Sequence, residues 1–136
     1  MANQVALRVL TQPGDDVIVS QEGHAVWHET GGSAANAGVQ FTAIGTKGCF
    51  TPEEFVAAVK PRGHIIYPPT TLVEIENTHN RAGGVIFLQD AVKRVCAAAV
   101  RRCARRKRAR PGVGRTSDVR HAMRNPRAKG RGNQGH

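Results

Sequence analysis

The densest concentration of groups able to do chemistry is Glu76-Asn77-Thr78-His79-Asn80-Arg81-Ala82-Gly83-Gly84, which directly follows the apolar run at 72–75. A carboxylate, an imidazole and a guanidinium just beyond the carboxyl end of a buried strand suit the lining of a cleft, where α/β folds hold their ligands. Imidazole moves protons near neutrality, so His79 is a candidate for acid–base work. The plainer reading is a polar turn in which Asn and Gly supply unusual backbone angles; on spacing alone that reading is the stronger. His24, followed by Glu29 and Gly31-Gly32, and His64, within Gly63-His64-Ile65-Ile66-Tyr67, are the other imidazoles of interest. Taken alone, His24 is an ordinary surface or core histidine. Cys49, Cys96 and Cys103 are odd in number and form no Cys-x-x-Cys pair, which points to reduced, packed thiols. No metal site is expected.

The elements that must position these groups alternate in type. Residues 2–11 put Val5, Leu7, Val9 and Leu10 among good helix formers, and Pro13-Gly14 stops the pattern. Asp16-Val17-Ile18-Val19-Ser20 is a short apolar run of the kind expected for a buried parallel strand. Residues 25–37 read as a helix weakened by Gly31-Gly32, and 39–44 as a strand closed by Gly45. Thr51-Pro52-Glu53-Glu54 is a helix start with a capping box and proline at the first helical position, running through Val59 to a stop at Pro61. Residues 70–76 read as a strand and 89–99 as a helix. This alternation predicts an α/β layered domain with a mainly parallel sheet.

Charge divides the chain in two. Of 136 residues, 1–97 hold seven Lys/Arg and nine acids, a net of −2, whereas 98–136 hold thirteen Lys/Arg against Asp118, a net of +12. One isoelectric point therefore describes two unlike segments. The sequence divides into a partial domain over 1–97 and an Arg-rich tail over 98–136, with 104–136 expected to be disordered for want of an apolar face. The tail also reads as an out-of-frame translation of GC-rich coding sequence. No apolar run is long enough to span a bilayer, and the start lacks a signal peptide, so a soluble cytoplasmic chain is the expectation.

Residues 76–84 resemble the Glu-Asn-Thr-His-Asn-Arg-x-Gly-Gly block of the low-specificity L-threonine aldolases, in the β-eliminating lyase group of fold-type I pyridoxal-phosphate enzymes. Residues 24–35, read as His-x-x-x-x-Glu-x-Gly-Gly-Ser-Ala-Ala, resemble that family's block around the histidine stacked on the cofactor ring. Asn3-Gln4-Val5-Ala6-Leu7 and Thr11-Gln12-Pro13-Gly14-Asp15 are similar to the preceding helix and turn. The resemblance covers about 1–97. It implies a fragment of the large domain, a partial α/β/α sandwich. It implies that His24 stacks on pyridoxal 5'-phosphate, that His79 stands beside cofactor and substrate, and that His64 corresponds, one residue out of register, to a further active-site histidine. Met1 and Ala2 match the end of a Gly-Thr-Met-Ala-Asn stretch whose helix N-terminus holds the cofactor phosphate.

The implied reaction is cleavage of the Cα–Cβ bond of L-threonine and related β-hydroxy amino acids to glycine and an aldehyde, in a homo-oligomer with active sites near subunit interfaces. The family's Asp-Gly-Ala-Arg block, which pairs with the ring nitrogen, and its Ser-Lys-Gly-Leu-Gly block, which supplies the Schiff-base lysine, are not among the 136 residues; Lys47, Lys60, Lys93, Lys107 and Lys129 stand in neither context. The chain is accordingly expected to be an inactive fragment with exposed strand edges, prone to aggregate. Two rival readings remain: a protein binding nucleic acid non-specifically through its basic tail, and a non-catalytic fragment that associates with intact aldolase subunits. Translation of the neighbouring frame beyond codon 97 is expected to yield aldolase-like sequence with an Asp-Gly-Ala-Arg stretch; finding none there removes the frameshift reading.

Overall fold

The computed structural model describes residues 1–108, with side chains to 102. The elements are α1 (Ala2–Leu10), β1 (Asp16–Ser20), α2 (His24–Trp27), a π-helical turn (Ser33–Ala37), β2 (Gln40–Ile44), α3 (Pro52–Ala58), β3 (Thr70–Val73) and α4 (Gln89–Arg108). Three strands form a parallel sheet in the order β2-β1-β3. Parallel neighbours need crossover connections, and helices supply them on both faces.

Alternation along β1 divides the core into two layers. Val17 and Val19 face Leu7 of α1, Ala37 and Val39, with Leu72 beside them. Ile18 faces the other way, onto Phe50, Phe55 of α3, Phe87, and Val95 and Ala98 of α4. Phe50 and Phe87 meet edge to face at 5.1 Å, an arrangement favoured by the ring quadrupole. All five residues of β1 are buried. The result is the expected partial α/β/α sandwich. It leaves apolar side chains uncovered, among them Val9 on α1, Ile65 and Ile66 in the loop before β3, and Leu88.

Local signals placed most elements well. Thr51 Oγ1 accepts from the Glu54 amide at 3.1 Å, and Glu54 Oε2 accepts from the Thr51 amide at 2.7 Å, so the capping box forms as written. Three expectations need correction. The helix expected over 25–37 is broken, because Thr30 (φ 55°) and Gly31 (φ 71°) enter the left-handed region and separate α2 from the π-helical turn. The strand expected over 70–76 ends at Val73, although the Glu74 amide still donates to Ile18 O at 2.8 Å. The last pair with β1 is Ile18–Val73, so Val19 and Ser20 of β1 continue beside β2 alone. The helix expected over 89–99 continues to Arg108, carrying Arg101, Arg102 and the run 105–108. Straight-chain arginines are good helix formers, so local charge does not end it. The remaining residues of the basic segment lie outside those described.

The amino ends of the strands hold a buried ion pair. Asp16 is fully buried and accepts from Lys60 Nζ at 2.7 Å, Thr42 Oγ1 at 2.6 Å and Thr70 Oγ1 at 2.7 Å. One carboxylate thus links all three strands to the chain after α3. Burial raises the Asp16 pKa, but the hydrogen bonds from Lys60, Thr42 and Thr70 and the lysine's charge outweigh it, and the net shift is downward. A carboxyl whose folded pKa lies below its unfolded value contributes stability above the unfolded pKa and loses it as pH falls through the folded one. Lys60→Met removes the cation and leaves the carboxylate with only neutral donors, Thr42, Thr70 and Gln40. It is expected to cost about 3 kcal/mol near neutrality, with the gap to wild type shrinking as Asp16 protonates in acid; urea denaturation at the two pH values checks this.

Candidate functional site

At the opposite end of the sheet, two loops meet. One follows β1 and carries Gly23, His24 and Glu29; the other follows β3 and carries 76–84. Their meeting point is Glu76, whose Oε2 accepts from the His24 amide at 2.7 Å and whose Oε1 accepts from the Asn80 amide at 2.9 Å. The His24 block and the 76–84 block, far apart in sequence, therefore share one side of the sheet's carboxyl end. Arg81 reinforces the junction from outside. Its guanidinium lies 4.5 Å from the centre of the Trp27 ring and 3.3 Å from Glu22, a stacked cation with a carboxylate partner.

His24 sits at the start of α2 with its side chain partly exposed. Its Nδ1 lies 2.9 Å from Glu29 Oε1, and a carboxylate can only accept, so Nδ1 carries a proton and, in the neutral ring, Nε2 keeps its lone pair. Glu29 also accepts from Asn3 Nδ2 at 2.7 Å and from Gln4 Nε2. Burial raises the Glu29 pKa, yet the donors Gln4, His24 and Asn3 and the His24 charge bring it below its ordinary value. Through this carboxylate the first turn of α1, where Met1 and Ala2 lie, is one residue removed from the His24 ring. Sequence reasoning quoted Glu29 only as part of a block; its role as the hub between α1 and His24 depends on contacts across 25 residues and more.

His79 is buried to 1% exposure. The Ala82 amide donates to its Nδ1 at 3.2 Å, which puts the ring proton on Nε2. That Nε2 has no hydrogen-bond partner and lies 3.8 Å from Glu76 Oε2. Beneath the ring, Gly48 (φ 77°) admits it only because a glycine is there: a Cβ would fall 2.5 Å from the imidazole Cγ. His64 is exposed, and its contacts lie within its own loop, with Tyr67 at 4.5 Å and the Ile66 amide at 3.5 Å. His28 is exposed beside His24, ring centres 5.3 Å apart.

Glu74 is the surprise. It extends β3 on the face of Leu72, with Oε2 buried and without a partner. Burial foremost, then the charges of Glu29 and Glu76, push its pKa up against the pull of His24. Within the apolar run 72–75 its position read simply as strand. Cys49 and Cys96 are free and half-buried, and no group of His, Cys, Asp and Glu among the described residues is arranged to hold a metal. No described helix is long and apolar enough to cross a membrane.

Parallel strands with helices on both faces, and polar side chains gathered at the strands' carboxyl ends, define an α/β domain. A sequence profile of the beta-eliminating lyases matches residues 1–104, and the chain belongs to that family. The family is that of pyridoxal-phosphate-dependent lyases. No curated protein matches the chain.

The residues fit part of such a cofactor. His24 offers an anchored, accessible ring of aromatic character, and the first turn of α1 lies next to it through Glu29. Covalent attachment finds no ready lysine among those described. Lys60 is committed to Asp16 and Thr42 at the far end of the strands, Lys93 pairs with Asp90 on α4, and Lys47 is exposed in a tight turn.

The Glu74 carboxyl gives a pH signature. Its folded pKa is raised, so the folded state holds the proton more tightly than the unfolded chain, and stability falls as pH rises from the unfolded pKa through the folded one. Glu74→Gln keeps the shape and removes the ionisation. It is expected to raise stability by about 1 kcal/mol at mildly alkaline pH and to change little near pH 4, read from thermal unfolding across the pH range.

Proposed function

We propose that the chain is of the threonine-aldolase type within its family. The arrangement would then serve cleavage of the Cα–Cβ bond of L-threonine and related β-hydroxy amino acids to glycine and an aldehyde, with pyridoxal 5'-phosphate as cofactor. The observation that carries the reading is the 2.7 Å bond from the His24 amide to Glu76. It brings the two aldolase-like blocks together at one strand end.

When bound, the cofactor supplies an electron sink for the carbanion left by bond cleavage. The chain's own residues would bind and orient it. His24, held by Glu29, would lie against the pyridine ring, and its Nε2 would take a proton from a substrate hydroxyl. The amides of the first turn of α1, at Ala2 and Asn3, favour the phosphate through their unpaired N–H groups and the helix dipole. His79 presents an N–H rather than a lone pair toward Glu76, which suits hydrogen-bond donation and support of the loop better than proton abstraction. His64 would need its loop to move before it reached this cleft.

We further propose that these 136 residues bind the cofactor without covalent attachment and do not turn over substrate alone, because Lys60 and Lys93 are paired elsewhere and Lys47 lies in an exposed turn. Titration with pyridoxal 5'-phosphate is expected to quench the single tryptophan, Trp27, in wild type and not in His24→Ala. Borohydride treatment is expected to leave every lysine unlabelled by mass mapping. Absence of quenching in wild type would count against the site, and a labelled lysine against the non-covalent reading.

A further inference from the structure

We propose that Glu76 is a positioning residue: its carboxylate clasps the His24 loop to the Asn80 loop and thereby sets where the His24 ring stands in the cleft. The consequence for His24 rests on the proposed cofactor site; the clasp itself stands on geometry alone. Both oxygens are used. Oε2 takes the His24 amide at 2.7 Å, across 52 positions of sequence, and Oε1 takes the Asn80 amide at 2.9 Å. The first of these amides belongs to the opening residue of α2, so the bond fixes the origin of the short helix that carries the ring. Helix α2 has only four residues and one buried side chain, Ala25, and needs an external tether to hold its place.

The surroundings allow the carboxylate little freedom. A Cβ at Gly23 would come within 3.1 Å of Ser20 O and 3.9 Å of Glu76 Oε2, so the His24 loop passes close against the β1 turn and the carboxylate. On the other side, His79 directs its Nε2 proton toward Oε2 from 3.8 Å. Burial raises the Glu76 pKa, but the hydrogen bonds from the Asn80 and His24 amides outweigh it and bring the pKa below its usual value, so the group is a carboxylate across the neutral range. A charged acceptor on backbone amides is stronger than a neutral one. Arg81 joins the same two loops by a separate route, through Trp27 and Glu22, yet it is exposed and touches neither His24 nor its amide.

Glu76→Gln tests the clasp in the 136-residue chain. The variant keeps the shape but replaces one accepting oxygen with an NH2 group and removes the charge. Amide hydrogen exchange is expected to speed up by about tenfold or more at His24 or Asn80, whichever faces the new NH2 group, while Val17 and Val19 in β1 keep their protection. The side-chain 15N signals of His79 should shift as its Nε2–H loses the facing carboxylate, a change that a loss of general stability would not produce. Glu76→Asp, which keeps the charge but is one methylene shorter, should free one amide and spare the other, and serves if the glutamine variant does not fold. Unchanged exchange at both amides, or equal loss of protection in β1, would overturn the clasp. With pyridoxal 5'-phosphate as probe, about tenfold weaker quenching of Trp27 in Glu76→Gln supports the effect on His24, and equal affinity overturns it. If wild type binds no pyridoxal 5'-phosphate, the proposed function fails, and the exchange data still decide the clasp.

Discussion

Strand β1 constrains everything else. It is hydrogen-bonded on both sides, to β2 and β3, and packed on both faces, so no residue from Asp16 to Ser20 has any freedom of position. A parallel strand so enclosed can leave the core only at its ends, and its neighbours end within two residues of the same level. The polar groups of three segments are therefore delivered together, at one edge of the sheet or the other. Asp16 with Lys60, Thr42 and Thr70 occupies the amino edge. His24, Glu29, Glu74, Glu76 and His79 gather at the carboxyl edge.

The two edges resolve their charge differently. At the amino edge a buried carboxylate is matched by a lysine and two hydroxyls, an arrangement suited to holding strands in register. At the carboxyl edge three carboxyl groups share a small volume with two imidazoles. Glu29 and Glu76 collect enough donors to bring their pKa values below the usual range, whereas burial and its acidic neighbours push that of Glu74 above it. Unbalanced acidity with an unpaired buried oxygen costs stability, and such costs concentrate where a ligand or a proton is handled. Glu74 thus sets the tolerance of this edge for further negative charge.

Packing also accounts for what is uncovered. Helix α1 commits Leu7 to the sheet and leaves Val5, Val9 and Leu10 in contact with solvent. Each of β2 and β3 pairs on one side only among the described strands. The domain's two layers are consequently thin, and the pairing of β1 with both neighbours does most of the work of holding them together.

The sequence by itself determined the elements whose signals are local. The apolar run of β1, the Thr51–Glu54 capping box and the alternation of strand and helix patterns required no knowledge of neighbours, because propensity, capping and burial period act within a few residues. What only the tertiary structure decided were the partnerships: Glu76 with the His24 amide, Glu29 with Asn3 and His24, Lys60 with Asp16, and the burial of Glu74. All but the five-residue step from His24 to Glu29 span 25 residues or more of chain, and a carboxylate's role depends on which donors reach it. Those donors arrive from other strands and loops, so no window along the sequence contains them.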